Sequence, residues 1–248
     1  MFLNKGKNGK QQGMDLKNLL LTSEELVHHA GEIAKNHTVF SDSFSLRQLL
    51  KRIDQNFKVI TLVYTNFHDA INHKGHLCPA SEWLLDNFYK VEEQAKEVRQ
   101  NLLKEKFLRL NTLNTGVLRG YPRIYGVALE FVAHTDGNLD EDLLISYVKA
   151  YQCQRVLTTA EIWALSLMIR SALIENIRRI CEKIYYSYWE REKAEKAAEL
   201  PEEEILLAIK ANIELDGRAN SAYVEHLLKV LKRDEIEAEV VLNYLRKN

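Results

Sequence analysis

The run Leu157-Thr158-Thr159-Ala160-Glu161-Ile162-Trp163-Ala164-Leu165-Ser166-Leu167-Met168-Ile169-Arg170-Ser171-Ala172-Leu173-Ile174-Glu175-Asn176-Ile177-Arg178-Arg179 decides the fold class. Its apolar residues recur at threes and fours with no sustained alternation in twos, which is helical spacing. Thr158 and Glu161 stand at capping-box spacing at its start. The same pattern continues to Leu200, where Pro201 cannot extend it. A helix of that length would measure about 60 Å, which leaves room for a bend or break near Tyr185 to Trp189.

Working outward, the spacing repeats on both sides. Thr22 and Glu25 form a capping-box pair that opens a short helix to about Asn36, and residues 37–44 read as a polar loop. Ser45 and Gln48 repeat the box ahead of a long amphipathic helix carrying Leu49, Ile53, Ile60 and Phe67 and ending near Asn72. After a turn at Gly75, Pro79 suits a first helical position, and the next helix runs to about Leu102. Residues 111–120 read as a linker. Pro122 then opens a helix that stops at Gly137, and Asp140 caps another to about Tyr151. Beyond Pro201 the pattern predicts helices at 202–215 and 219–233 and a last one capped by Asp234 with Glu237. The expectation is an all-α fold, a bundle or array of about eight helices with two or three long ones. Residues 1–20 are expected to be a disordered lead, 21–200 the main domain, and 201–248 a helical extension packed on it. No fixed-period repeat points to a solenoid.

Composition agrees. Of 248 residues 46% are apolar, enough for a sizeable core, and only 10 Gly and 3 Pro interrupt the chain. Lys plus Arg number 34 against 35 Asp plus Glu, so charge gives no case for nucleic acid or an anionic membrane. Cys78, Cys153 and Cys181 lack CxxC spacing, which fits a reducing compartment and argues against disulfides or a structural zinc site. No secretory signal is read near Lys5, Lys7 and Lys10. The strongly apolar run from Ile162 to Ile169 ends at Arg170, far short of the roughly 20 residues a bilayer span needs. A soluble, cytoplasmic chain is expected.

Charged and amide groups set inside apolar helical stretches are costly to bury unless paired. Glu82, Asp86, Arg123, Glu130, His134, Glu161, Arg170, Glu175, Asn176 and Arg178 are therefore expected to form one polar network between packed helices, either structural or ligand-binding, with no catalytic residue assigned. Glu82 and Asp86 are expected to pair with cations such as Arg123 or Arg170. An acid/base role for Glu82 with Glu161 finds no local support. Arg170 is read as buried and paired, so that its truncation would cost roughly 3–5 kcal/mol.

Glu130 and His134 are four apart, a spacing that can place two metal ligands on one helix face. No His-Glu-x-x-His pattern and no nearby third ligand accompany them, so they are read as a packing pair, and no metal or cofactor is assigned. His28, His29, His68, His73 and His76 are spread over two regions. His73 and His76 flank a loop with Cys78 and read as solvated. The cluster Tyr185, Tyr186, Tyr188 and Trp189 reads as core or bend packing rather than a sugar contact. There is no phosphate-binding glycine loop, dinucleotide fingerprint or nucleophile elbow.

Three blocks carry a family resemblance: Pro79-Ala80-Ser81-Glu82-Trp83-Leu84-Leu85-Asp86-Asn87; Pro122-Arg123-Ile124-Tyr125 with Val132-Ala133-His134-Thr135-Asp136; and Leu157-Thr158 through Trp163-Ala164 with Ala172-Leu173-Ile174-Glu175-Asn176-Ile177-Arg178-Arg179. They resemble the N-terminal region of cyclic β-1,2-glucan synthases over roughly residues 45–185. Ser81 departs from the family's usual Ala, and Ile162 and Ile177 stand at Leu positions. The resemblance implies a larger protein with a membrane-embedded glycosyltransferase module using UDP-glucose and a phosphorylase-like module that trims chains. Neither module is read in this sequence, so no catalytic residue carries over. The implied role is a non-catalytic cytoplasmic scaffold or regulatory module, natural or excised, whose partner is the transferase module. The alternatives are a domain that binds or acts on a glucan or nucleotide sugar through the polar network, and a free-standing protein–protein adaptor.

Overall fold

The computed structural model describes residues 19–40, 46–74, 77–104, 110–216 and 221–233. Among them are eight helices: α1 Ser23–Asn36, α2 Leu46–Lys74, α3 Pro79–Lys104, α4 Arg123–His134, α5 Glu141–Gln154, α6 Thr159–Ala198, α7 Glu202–Asp216 and α8 Ser221–Arg233. The fold is all-α. The helix length leaves room for a bend or break near Tyr185 to Trp189, and no break interrupts α6, whose apolar and straight-chain residues let helical hydrogen bonding continue there. The proposed box at Ser45 and the last helix capped by Asp234 lie outside the described residues.

The described chain forms two compact units. The first draws on residues up to 62 and on 86–179, the second on 63–85 and from 180 onward. The division falls within α2, α3 and α6 rather than near residue 200.

In the first unit α4 is the innermost element. All but Glu130 of its twelve residues are buried, the buried Arg123 and His134 each being paired with a carboxylate. It ends where Asp136 (φ 51°) and Gly137 (φ 76°) turn left-handed, and the Gly137 amide bonds back to the Val132 carbonyl at 3.0 Å, which satisfies an end-of-helix acceptor. A Cβ at Gly137 would stand 3.3 Å from the Asn176 amide nitrogen. The Tyr147 hydroxyl of α5 donates to the Val127 carbonyl of α4 at 3.3 Å. α1 packs mainly on α5 and also touches α4, and it starts with the capping box read from Thr22 and Glu25.

The loop at 37–44 and the linker at 111–120 hold an element that helical spacing does not announce. Val39–Phe40 pairs antiparallel with Thr112–Leu113, Val39 opposite Leu113. Thr112 and Leu113 are buried, and the short ladder gives their backbone groups partners there. The turn behind it needs Gly120 (φ 88°), where a Cβ would stand 2.7 Å from the Gln48 side-chain oxygen.

The second unit has its own core, in which Ala194, Ala197 and Ala198 of α6 meet Ile205 and Ile209 of α7 and Tyr223, Leu227 and Leu231 of α8. Its segment of α3 opens with the Ser81 and Glu82 amides on the Cys78 carbonyl, at 2.9 and 3.1 Å. The Ser81 hydroxyl, wholly buried, lies 3.1 Å from the Cys78 thiol.

Candidate functional site

The polar residues of the first unit fall into separate clusters. In the first, the capping box at the start of α6 is formed as its spacing predicts: the Thr158 amide donates to Glu161 Oε2 at 2.8 Å and the Glu161 amide to Thr158 Oγ1 at 3.3 Å. The same Glu161 carboxylate faces α4 and accepts two bonds from Arg123, the Nε contact measuring 2.9 Å. Arg123 also donates to the Val156 carbonyl at 3.1 Å, and Asn111 donates to Glu161 at 3.3 Å. The Arg123 and Glu161 side chains are 3% and 0% exposed. A planar guanidinium fork suits such a two-point contact.

In the second, Glu175 of α6 is gripped by Arg52 of α2 through bonds of 2.8 and 2.7 Å. Asn56 adds a bond of 2.6 Å and Arg178 one of 3.2 Å. Burial would raise the Glu175 carboxyl, but the Arg52 bond and charge, the Arg178 charge and the Asn56 bond outweigh it and hold it below the usual range. The Arg52 guanidinium also lies 5.5 Å from the centre of the Tyr121 ring. Beside it the Tyr125 hydroxyl is fully buried. Burial, with the Glu175 charge, raises its pKa well above normal, and Arg52 opposes that rise. No donor or acceptor reaches this hydroxyl with hydrogen-bond geometry among the described residues.

The third cluster pairs Glu130 with His134, as their spacing allows, and adds His29 from α1. His29 Nε2 lies 3.1 Å and His134 Nε2 3.3 Å from the same Glu130 Oε2. His134 Nδ1 meets the Leu19 carbonyl at 2.7 Å. Burial alone would raise the Glu130 carboxyl, but bonds from His134 and His29 bring it down to about 2. His134 moves the other way: its bond to Glu130 raises its pKa, against burial and the charge of Arg179. The sequence contains His29 but not the reason to choose it. It is 101 residues from Glu130, and only the packing of α1 brings it there.

Three sequence expectations change. Glu82 and Asp86 are exposed on α3 and form no ion pair among the described residues; Arg123 has Glu161 and Arg170 has other partners. Arg170 is not buried. Its side chain is 31% exposed and meets Glu97 of α3, itself 49% exposed, together with Gln94 at 2.7 Å. A long arginine reaches the helix surface even from an apolar stretch. Finally, Asn176 lies against Gly137 rather than within the Glu175 cluster.

No protein-family model matches the sequence. Cyclic beta-(1,2)-glucan synthase NdvB of Rhizobium meliloti (strain 1021) is 30% identical over 185 residues. That alignment takes in 74% of this chain but only 6% of the relative. The chain is thus similar to one short region of a far longer glucan synthase, in keeping with the resemblance of the three blocks.

Proposed function

We propose that the chain is a non-catalytic helical scaffold of a cyclic β-1,2-glucan synthase-like glycosyltransferase, held at the cytoplasmic face of a membrane by docking on the transferase module. The observation that carries this reading is Trp163. Two residues from the fully buried Glu161, it is 79% exposed, and Val156 just ahead of the helix is 75% exposed. Large exposed aromatics at a helix start are contact residues of the kind interfaces favour. The occupant is the remainder of a longer polypeptide, because the relative is many times the length of the aligned region. Arg123 with Glu161 and Arg52 with Glu175 support the same reading, since each is engaged in an ion pair with the other. No helix among the described residues is long and apolar enough to cross a membrane, so attachment would come from the partner module.

The test is binding in trans to a purified transferase module of such a synthase, beside calorimetric titration with UDP-glucose. The expected result is a complex that Trp163→Ala weakens, with no heat from UDP-glucose. Saturable UDP-glucose binding that Glu161→Gln abolishes, with the fold intact, would overturn the reading.

A second reading has one observation behind it. In the second unit a groove of about 380 Å³ is lined by Tyr185, Tyr188 and Trp189 together with Asp69 and Lys196. Aromatic faces beside polar groups are the chemistry of a sugar platform. Titration with β-1,2-gluco-oligosaccharides decides it: binding lost in Trp189→Ala supports the platform, and no heat removes it.

A further inference from the structure

The His29–Glu130–His134 cluster has no part in the scaffold reading, and its geometry asks for a positive centre. Both Nε2 atoms converge on one carboxylate oxygen, at 3.1 and 3.3 Å, and all three atoms lie within 4.8 Å of one another. Ligands about 2.0–2.1 Å from a tetrahedral zinc ion stand roughly 3.3 Å apart. The two measured separations are therefore already those of a coordination shell. The rings meet nearly edge to face, 76° apart with centroids at 4.6 Å, so their nitrogens can share a point without the rings stacking.

An independent observation lies on the far side of His134. Its Nδ1 is 2.7 Å from the Leu19 carbonyl, which can only accept, so Nδ1 carries a hydrogen. In the neutral ring Nε2 is then a bare lone pair aimed at a carboxylate oxygen, and two acceptors at that distance repel unless something positive sits between them. A ligating histidine whose other nitrogen donates to a backbone carbonyl is the usual outer support of a metal site.

We infer that His29 Nε2, His134 Nε2 and Glu130 Oε2 bind one divalent transition ion of the zinc class, tying α1 and the Leu19 backbone to α4. Two imidazoles and one carboxylate suit zinc and its neighbours rather than magnesium or calcium. The His29 side chain is 32% exposed, so the remaining coordination position opens to water. The sequence offers only two of these ligands, Glu130 and His134 on one helix, because the third, His29, comes from α1, 101 residues from Glu130.

The experiment is equilibrium dialysis of the chelator-stripped full chain against Zn²⁺, repeated with Co²⁺ for its visible spectrum, with the melting midpoint followed throughout. One ion per chain, cobalt bands of a four-coordinate nitrogen/oxygen site, and a higher midpoint are expected. His29→Gln, at a partly exposed position of α1, should fold and melt like the metal-free parent. It should also lose the ion and the midpoint rise. Glu130→Gln should weaken zinc binding by more than about tenfold. Absence of stoichiometric zinc binding would leave a proton in the ion's place and overturn the inference. Parent-like zinc affinity in His29→Gln, or an equal midpoint rise with Mg²⁺, would overturn it as well.

Discussion

Two arginine–carboxylate pairs reach α6 from different helices, in surroundings that could hardly differ more. Arg123 of α4 meets Glu161 with both side chains almost inaccessible, at 3% and 0%. Arg170 of α6 meets Glu97 of α3 with 31% and 49% exposed. Water already solvates the second pair, so joining it gains little. The first pair has given up its water, so either partner alone would be a stranded charge. The contrast shows that an ion pair's worth lies in what surrounds it rather than in the contact itself.

The largest effect should come from Arg123→Met. Glu161 would keep only Asn111 and its capping bonds, and denaturant unfolding should report a loss of about 3–5 kcal/mol. A midpoint within error of the parent would break the comparison. The double variant Arg123→Met/Glu161→Leu should regain most of that loss. A deficit of about 1 kcal/mol should remain, because Glu161 also closes the capping box.

His37 offers a version of the same desolvation that pH can tune. Burial pushes its pKa down to about 4, with Arg123 and Arg155 pushing the same way and Glu130 opposing. Its Nδ1 lies 2.9 Å from the Tyr151 hydroxyl. An unfolded chain protonates this ring near pH 6.5. Between pH 6.5 and 4 the unfolded state therefore binds more protons, and stability falls as pH falls. The difference between parent and His37→Gln across that window should amount to at most roughly 3 kcal/mol. Parallel pH curves for the two chains would show that His37 is not desolvated. Glu175, whose carboxyl is held low, adds stability that is present above the ordinary carboxylate range and lost only at more acidic pH.

Arg170→Met should change stability by less than about 1 kcal/mol, in place of the larger loss a buried arginine would give. A loss as large as that of Arg123→Met would erase the distinction between the pairs. The smallest effect is expected from Tyr125→Phe. Removing a buried hydroxyl that no described residue meets with hydrogen-bond geometry should leave thermal stability unchanged or raise it by about 1 kcal/mol, and a loss would show that Arg52 holds that oxygen.

The helices were legible because their signals are local. The boxes at Thr22 and Thr158, the cap at Asp140 and the stop before Pro201 each act within a turn or two of chain, and all four stand where their spacing places them. The two-residue ladder of 39–40 with 112–113 was not legible, because two residues cannot display an alternation. Among the polar residues, spacing revealed Glu130 with His134, which share a helix. It assigned Glu82 and Asp86 to cations that turn elsewhere, and it gave no ground for choosing His29, Arg52 or Asn56, which arrive from other helices.

The sequence by itself determined that this chain is helical, where most helices begin and end, and that it is similar to a short region of a glucan synthase. These are properties of composition, periodicity and short-range capping. Only the tertiary structure decided which charges are buried, which partner each one takes, and which histidine joins Glu130. Burial and partner choice depend on contacts between residues 38 to 123 positions apart, and no local pattern encodes them.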